Sequence, residues 1–197
     1  MQPPIILGSQ SPRRKELLQL ANIPCVVIAA DIDEYIPSSL PPQEAPVYLA
    51  EKKAAAILKM LEGTHEAENI IITSDTIVVC DHIILGKPAD ATEAKSMLLQ
   101  LSGKTHEVIT GVCISRSATR FTHTSVVRVS FKTLSEAEID YYIQHYQPYD
   151  KAGSYAIQEW IGAIGITAIE GDYYSVMGLP VQWVYSILKE KFNFTLS

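Results

Sequence analysis

The sequence predicts an α/β protein built on a mixed β-sheet, and three observations lead to this prediction. The chain begins with a strand, a helix and a second strand, a pattern typical of parallel pairing. Segments with apolar residues at helical spacing alternate with strands along the rest of the chain. A short hairpin and two long alternating strands add antiparallel connections, and the predicted strands outnumber the predicted helices. Together these connections indicate a mixed sheet covered by helices.

The first three elements are predicted at residues 5–7, 12–20 and 25–29, followed by acidic residues between Asp31 and Glu34. The junction at the start of the helix has the residue types that hold phosphate. Ser11 is placed to cap the helix and Pro12 suits its first turn, where unpaired amide groups carry the positive end of the helix dipole.

Two arginines follow at once, Arg13 and Arg14, and their planar cations bind phosphate oxygens in pairs. The alternative is a plain capped helix with a solvated basic turn, which is unusual because the dipole favours acids there. We therefore expect an anion-binding site at this junction.

A turn at residues 38–42 precedes a helix predicted from about residue 44 to residue 61. The apolar face of this helix is formed by Val47, Ala50, Ala54, Ile57, Leu58 and Leu61. Lys53 lies near the edge of that face, whereas Lys52 points almost directly away from it. We expect Lys53 to reach a cleft and Lys52 to be in water.

Asp75 interrupts an apolar run, with Ile70 to Thr73 before it and Ile77 to Cys80 after it. A charge in such a run is costly without a partner, so the position favours a functional carboxylate. The alternative is an aspartate in a bulge or turn of a strand. A hairpin turn at Asp81 and His82 follows.

The remaining elements follow the same rules of spacing and capping. They are a helix at 91–101, antiparallel strands at 108–115 and 121–131, a capped helix at 135–145, a glycine-rich region at 153–178 and a closing helix at about 181–191.

Composition limits the classes of protein to consider. The 197 residues, 47% of them apolar, are expected to form one compact domain over residues 1–197. A net charge of −6 argues against binding to nucleic acid or to an anionic membrane. With neither a basic leader nor a long apolar stretch, the chain is expected to be cytoplasmic. Cys25, Cys80 and Cys113 are expected to be buried free thiols, and no spacing predicts a zinc site.

Five of the 16 basic residues lie at element ends or at cleft-facing edges: Arg13, Arg14, Lys53, Lys87 and Lys151. We expect these dispersed cations to converge on an anionic ligand. Neither a P-loop nor a dinucleotide-binding fingerprint is present, so a nucleotide would be bound in another way.

Six motifs in order resemble the Maf family of nucleoside triphosphate pyrophosphatases, over about residues 5–190. They are Ser9-x-Ser11-Pro12-Arg13-Arg14-x-Glu16-Leu17-Leu18, Ser74-Asp75-Thr76, Leu85-Gly86-Lys87-Pro88, the segment from Leu101 to Val112, Asp150-Lys151-Ala152-Gly153-x-Tyr155-x-Ile157-Gln158, and Val176-Met177-Gly178-Leu179-Pro180. The sequence departs from the usual motifs in a few places: Gly8 and Ser74 replace commoner alanines, Gln147 replaces a glutamate, and Glu159 stands where many members have glycine.

The resemblance implies an elongated mixed sheet in two lobes around a central cleft, similar to the inosine triphosphate pyrophosphatase fold, and often a homodimer. It also implies hydrolysis of a nucleoside triphosphate between the α and β phosphates with a divalent metal cation, Mg²⁺ or Mn²⁺. The pattern around Asp75 and Gln158 is similar to the branch that prefers dTTP and UTP, and modified pyrimidine triphosphates are further candidates.

The resemblance also implies roles for individual residues. Asp75 corresponds to the proposed general base. The positions that tune base preference are Arg13, Thr76 and Gln158, and those of the phosphate and metal shell are Ser9, Arg14, Glu34, Lys53, Lys87 and Lys151. Glu34 and Asp75 are the candidate metal ligands, because Mg²⁺ prefers oxygen donors. Whether Asp75 activates water or holds the metal stays open.

Two alternative functions remain at this point. The first is a noncatalytic nucleotide-binding regulator of cell division, which would need the cations but not Asp75. The second is a pyrophosphatase that removes 7-methyl-GTP or unusual purine nucleotides, which the residues at Thr76 and Gln158 disfavour.

Overall fold

The computed structural model describes residues 4–37 and 39–196. The strands are β1 (Ile5–Leu7), β2 (Cys25–Val27), β3 (Ile70–Cys80), β4 (Ile83–Leu85), β5 (Thr105–Arg116), β6 (Thr119–Phe131) and β7 (Ile166–Glu170). The α-helices are α1 (Pro12–Leu20), α2 (Ala45–Met60), α3 (Ala91–Leu101), α4 (Glu136–Tyr146), α5 (Trp160–Gly165), α6 (Tyr173–Val176) and α7 (Val181–Phe192). Short 3₁₀ segments lie at His65–Glu68, Pro148–Asp150 and Ala152–Ser154.

The seven strands form one mixed sheet in the order β2-β1-β3-β5-β6-β7, with β4 paired to β3. Strand β1 pairs in parallel with β2 and with β3, whereas the β3–β4 and β6–β7 pairs are antiparallel. The predicted α/β class with a mixed sheet is therefore confirmed. The expectation that strands outnumber helices is wrong, since the described residues hold seven of each. The short helices α5 and α6 lie in the glycine-rich region and carry too few turns for a periodic signal.

The chain divides into two compact units. Unit 1 comprises residues 1–75, 110–125 and 178–197, and unit 2 comprises residues 76–109 and 126–177. In unit 1, Ile57 of α2 and Leu61, the residue that caps its C-terminal end, pack on Ile6 and Ile71 of the sheet, which is the face that the helical spacing predicts.

Unit 2 has its own core of eighteen buried residues, drawn from the strands, from α3, α4 and α5, and from the connecting segments. Val127, Val129 and Phe131 alternate along β6 and are all buried, as their period-two spacing predicts. His106 stacks on Phe131 and lies 2.7 Å from the Tyr155 hydroxyl through its Nε2. His106 and Tyr155 therefore have structural positions inside this core.

Most local predictions agree with the structure. The hairpin turn is confirmed, with φ of 51° at Asp81 and 66° at His82, as a type I′ turn requires. The box that caps α4 pairs Ser135 with Glu138. Ser38, the first residue of the predicted turn at 38–42, lies outside the described residues.

Three local predictions are corrected. Strand β2 ends at Val27 rather than at residue 29. Strand β3 runs from Ile70 to Cys80, so the turn considered for Asp75 is wrong. Cys80 and Cys113 are buried free thiols, but Cys25 is a half-buried one because it lies on an edge strand. Among the described residues, no helix is both long and apolar enough to cross a bilayer.

Candidate active site

Asp75 faces helix α2 because side chains alternate along strand β3. Two residues earlier, the buried Thr73 hydroxyl donates a hydrogen bond of 2.7 Å to the carbonyl of Ala50 on α2. One helical turn further on, Lys53 donates from Nζ to the Asp75 carboxylate, also at 2.7 Å. Residues two positions apart on β3 therefore contact residues three positions apart on α2. Asp75 therefore lies on the face of β3 that contacts α2.

Lys53 bridges two carboxylates. Its Nζ lies 2.7 Å from Asp75 and 2.7 Å from Glu34, which comes from the acidic segment after β2. The side chains of Lys53 and Asp75 are only 13% and 14% exposed, so water screens this pair weakly. Lys53 was expected to reach a cleft, and the structure shows its ammonium in contact with these two carboxylates. Lys52 differs from the expectation of a lysine in water, since it donates at the surface to the Asp33 carbonyl at 2.7 Å.

The loop after β1 is organised by Ser9 rather than by Ser11. Ser11 occupies the N-cap position of α1, but its side chain makes no capping hydrogen bond, so that prediction is wrong. The buried Ser9 hydroxyl instead accepts from the Ser11 amide at 3.2 Å and from Arg14 Nη1 at 3.0 Å. Pro12 stands in the first turn of α1, as predicted.

Arg14 is held at two points inside unit 1. Besides its bond to Ser9, its Nε donates to the Gly178 carbonyl at 2.8 Å. Burial and the neighbouring Arg13 lower the pKa of Arg14, while the charges of Asp75 and Glu34 oppose that shift. A guanidinium stays charged at neutral pH under such conditions. Arg14 is therefore a fixed cation in the electrostatic field of both carboxylates.

Ser74 connects three segments behind Asp75. Its buried Oγ lies 2.8 Å from the Gly111 carbonyl on β5 and 2.9 Å from the Gly178 carbonyl that also accepts from Arg14. One hydroxyl proton serves one carbonyl at a time, so the contact is shared. A commoner alanine at this position would lack both contacts. The serine thus adds polar contacts between strand β3 and the segment before α7.

In unit 2, two predicted motifs meet through the backbone. The Gly153 amide donates to the Gly86 carbonyl at 3.0 Å, which brings the loop of the exposed Lys87 beside the loop of Lys151. Gly153 has φ of +68°, and a Cβ there would lie 3.0 Å from the Val78 side chain. Glycine is needed on both counts.

Lys151 is 7% exposed and its ammonium is paired within unit 2. Nζ lies 2.7 Å from Asp150 and 3.4 Å from Glu159. Gln158 is exposed on the turn that precedes α5, and Thr76 follows Asp75 on β3 at the boundary between the units. The structure thus groups Ser9, Arg14, Glu34, Lys53 and Asp75 in unit 1, and Lys87 and Lys151 in unit 2.

The donor set around Asp75 fits a hard divalent cation. Within residues 4–37 and 39–196, no three His, Cys, Asp or Glu residues cluster as a complete metal site. The carboxylates of Asp75 and Glu34 nevertheless share one ammonium partner at equal distance. Two carboxylates with further oxygens from a bound phosphate make the kind of site that Mg²⁺ occupies.

The sequence matches the Maf-like protein family from residue 4 to residue 191. The chain belongs to the Maf family. A relative from Porphyromonas gingivalis, named dTTP/UTP pyrophosphatase, is 53% identical over 94% of this chain and 93% of its own. Relatives of the same name from Phocaeicola vulgatus and Cytophaga hutchinsonii are 50% and 44% identical, over 94% and 96% of this chain and 95% and 84% of theirs.

Membership of the Maf family confirms the resemblance drawn from the six motifs. Sequence reasoning gave no role to three residues that make marked contacts: Ser74 in unit 1, and Tyr142 and Glu159 in unit 2. Tyr142 belongs to the apolar face of α4, so its position in the sequence indicates only burial. The contacts of its hydroxyl are known only from the structure. Glu159 and Ser74 carried a signal, because both depart from the residues usual in the family.

Proposed function

We propose that this Maf protein is a nucleoside triphosphate pyrophosphatase that hydrolyses dTTP and UTP to the monophosphate and pyrophosphate. The observation that carries the proposal is the pair of carboxylates, Asp75 and Glu34, bridged by Lys53 beside the fixed cation Arg14. Support also comes from relatives up to 53% identical that are named dTTP/UTP pyrophosphatase.

The cations of unit 1 bind and neutralise phosphate in this proposal. A nucleoside triphosphate carries close to four negative charges, and attack on its α phosphorus requires much of that charge to be offset. Arg14 is positioned by Ser9 and by the Gly178 carbonyl, so little conformational entropy is lost when it binds an oxygen. We assign Arg13, Lys87 and Lys151 to the substrate on the resemblance of their motifs.

Asp75 and Glu34 would hold a divalent cation, Mg²⁺ or Mn²⁺. Such a cation, when bound, polarises phosphate oxygens and offsets developing negative charge. In the alternative role, Asp75 would orient and deprotonate the attacking water instead of holding the cation. Gln158 and Thr76 read the base, since an amide pairs with the O4 and N3–H edge of uracil or thymine.

The reaction is tested by incubating the pure protein with Mg²⁺ and a panel of pyrimidine, purine and modified triphosphates. We expect pyrophosphate rather than orthophosphate as the product, with dTTP and UTP preferred. Binding without turnover of any triphosphate would instead indicate a regulator. Preference for 7-methyl-GTP or inosine triphosphate would indicate a purine enzyme.

The role of Asp75 is tested with Asp75→Asn, which keeps the size of the side chain. We expect turnover to fall by about two to four orders of magnitude, the range for loss of a general base. Affinity for Mn²⁺, measured by calorimetry without substrate, separates the two roles. Unchanged affinity supports the base, whereas lost affinity assigns Asp75 to the metal. A folded variant with near-normal turnover would rule out both roles.

We extend the proposal to assembly and location on the same resemblance. A homodimer is expected, and light scattering coupled to size exclusion measures its mass. The proposed substrates belong to the intracellular nucleotide pool, so a cytoplasmic location is expected and cell fractionation checks it.

A further inference from the structure

Gln158 is the exposed residue of a short turn, between two buried residues before it and half-buried residues after it. The Glu159 amide donates to the Ala156 carbonyl at 3.1 Å, which closes the turn over residues 156–159. Ala156 and Ile157 are 6% and 7% exposed, whereas Gln158 is exposed. Glu159 then begins α5, because its carbonyl accepts from the amide of Gly162 at 3.0 Å.

One buried hydroxyl holds both ends of this turn. The Tyr142 hydroxyl on α4 donates to the Glu159 carboxylate, and the same oxygen accepts from the Ala156 amide at 3.2 Å. The other oxygen of Glu159 lies 3.4 Å from Lys151 Nζ. Tyr142 is fully buried in the core of unit 2 and stacks on Tyr146 with ring centroids 5.0 Å apart. The anchor of the turn is therefore a rigid part of the core.

The physical effect of this anchor is to limit the motion of the turn that carries Gln158. An amide distinguishes one base edge from another only if its oxygen and nitrogen stay in place, since a mobile amide pairs with many edges. The turn has one backbone hydrogen bond across it, and the Tyr142 hydroxyl adds a contact at each end. Glu159 also ties the turn to Lys151.

We propose that Tyr142 and Glu159 are positioning residues that set base selectivity by holding the Gln158 turn. The inference rests on the proposed function, in which Gln158 reads the base. Neither residue contacts the nucleotide in this proposal. Tyr142 is buried, and it acts through the backbone of Ala156 and through Glu159. Glu159 stands where many Maf members have glycine, so the carboxylate anchor belongs to chains that carry this glutamate.

The test compares Tyr142→Phe with Tyr146→Phe. Both variants remove one hydroxyl from α4 and keep the ring, but the Tyr142 hydroxyl alone is bonded to the turn among the described contacts. The measured quantity is the ratio of kcat/KM for UTP to kcat/KM for GTP. We expect Tyr142→Phe to lower that ratio about three- to tenfold, the value of a net hydrogen bond. This decrease should come from a higher KM for UTP, with kcat within about twofold of the wild-type value. Tyr146→Phe should leave the ratio unchanged.

A double-mutant cycle with Gln158→Ala shows whether Tyr142 acts through Gln158. We expect Gln158→Ala to lower the ratio, and Tyr142→Phe to have no further effect in that background. Glu159→Ala supplies a second variant, with the same expected direction, should Tyr142→Phe fold poorly. An unchanged ratio in folded Tyr142→Phe or Glu159→Ala overturns the inference, as does an equal further loss in the Gln158→Ala background. Failure of the wild-type protein to hydrolyse UTP would instead refute the proposed function itself.

Discussion

At the scale of single residues, the site is defined by how charges are paired. Lys53 contacts both Asp75 and Glu34, so one ammonium bridges the two carboxylates. Removing that ammonium leaves two neighbouring negative charges without their shared partner.

Lys53→Met should lower turnover by about a hundredfold or more, the usual cost of losing one preorganised electrostatic donor. Lys52→Met is the matched control, because Lys52 is the next residue on α2 and its ammonium bonds only the Asp33 carbonyl among the described hydrogen bonds. Steady-state kinetics with UTP measure both variants. Equal turnover of Lys53→Met and Lys52→Met would contradict the role given to Lys53.

His106 makes stability depend on pH. Burial lowers its pKa to about 4 from an ordinary value of 6.5, and its Nδ1 is buried without a hydrogen-bond partner. Between these two pKa values the unfolded chain binds the proton and the folded chain does not, so protonation favours unfolding. The contribution is fully present above pH 6.5 and is lost as the pH falls toward 4. The loss amounts to about 2 kcal/mol by pH 5 and to about 3 kcal/mol once the pH is below 4.

His106→Gln, which cannot titrate, should therefore show a flatter decline in the free energy of unfolding between pH 7 and pH 5 than the wild type. Urea denaturation at several pH values measures this slope. His65→Gln, at an exposed histidine, should keep the slope of the wild type. Parallel curves for His106→Gln and the wild type would show that His106 is not buried as described.

At the scale of elements, helix α2 approaches strand β5 so closely that only glycine fits between them. A Cβ on Gly111 would lie 2.2 Å from the Val47 amide nitrogen and 2.3 Å from the Pro46 carbonyl carbon. Backbone atoms cannot move aside as the end of a side chain can. This close contact fixes the height of α2 over the sheet, and with it the place of Lys53.

Gly111→Ala should lower the free energy of unfolding by about 1–3 kcal/mol, the cost of overpacking a core. Gly86→Ala is the control, since a Cβ there meets nothing within 4 Å and its backbone does not need glycine. Thermal unfolding followed by circular dichroism compares the two. A melting temperature of Gly111→Ala equal to that of Gly86→Ala would contradict the close approach.

At the scale of the whole molecule, the proposed function links ligand binding to stability. The chain has a net charge of −6, so an anionic nucleotide is attracted only by local cations and not by the protein as a whole. Binding to the folded state alone raises its stability by mass action.

A UTP analogue with a methylene bridge between the α and β phosphates should raise the melting temperature in the presence of Mg²⁺. At a hundred times its dissociation constant the gain is about 2.7 kcal/mol, which corresponds to about 5–10 °C for a chain of this length. The matching GTP analogue at the same concentration should give a smaller shift. Equal shifts with both analogues would show that the folded protein does not select the base.

Much of the fold could be predicted from local patterns, because those patterns act over a few residues. The predicted bounds of α3 agree with the structure, and those of α1 and α7 agree to within one residue, since capping residues and apolar spacing operate within one helix. The apolar face of α2 also distinguished Lys53, whose ammonium contacts Asp75, from the adjacent Lys52. The Maf motifs supplied the class of reaction, because their order is specific.

The sequence by itself therefore determined the class of fold, the ends of the long helices and the family. It also identified Asp75 as a candidate functional residue. Only the tertiary structure decided that Lys53 bridges Asp75 and Glu34, that Ser9 replaces Ser11 as the organiser of its loop, and that Tyr142 holds the Gln158 turn. The reason is that each of these contacts joins a residue to an atom whose position is set by packing rather than by residue type. A hydroxyl or an ammonium can pair with many partners, and the folded core selects among them by distance.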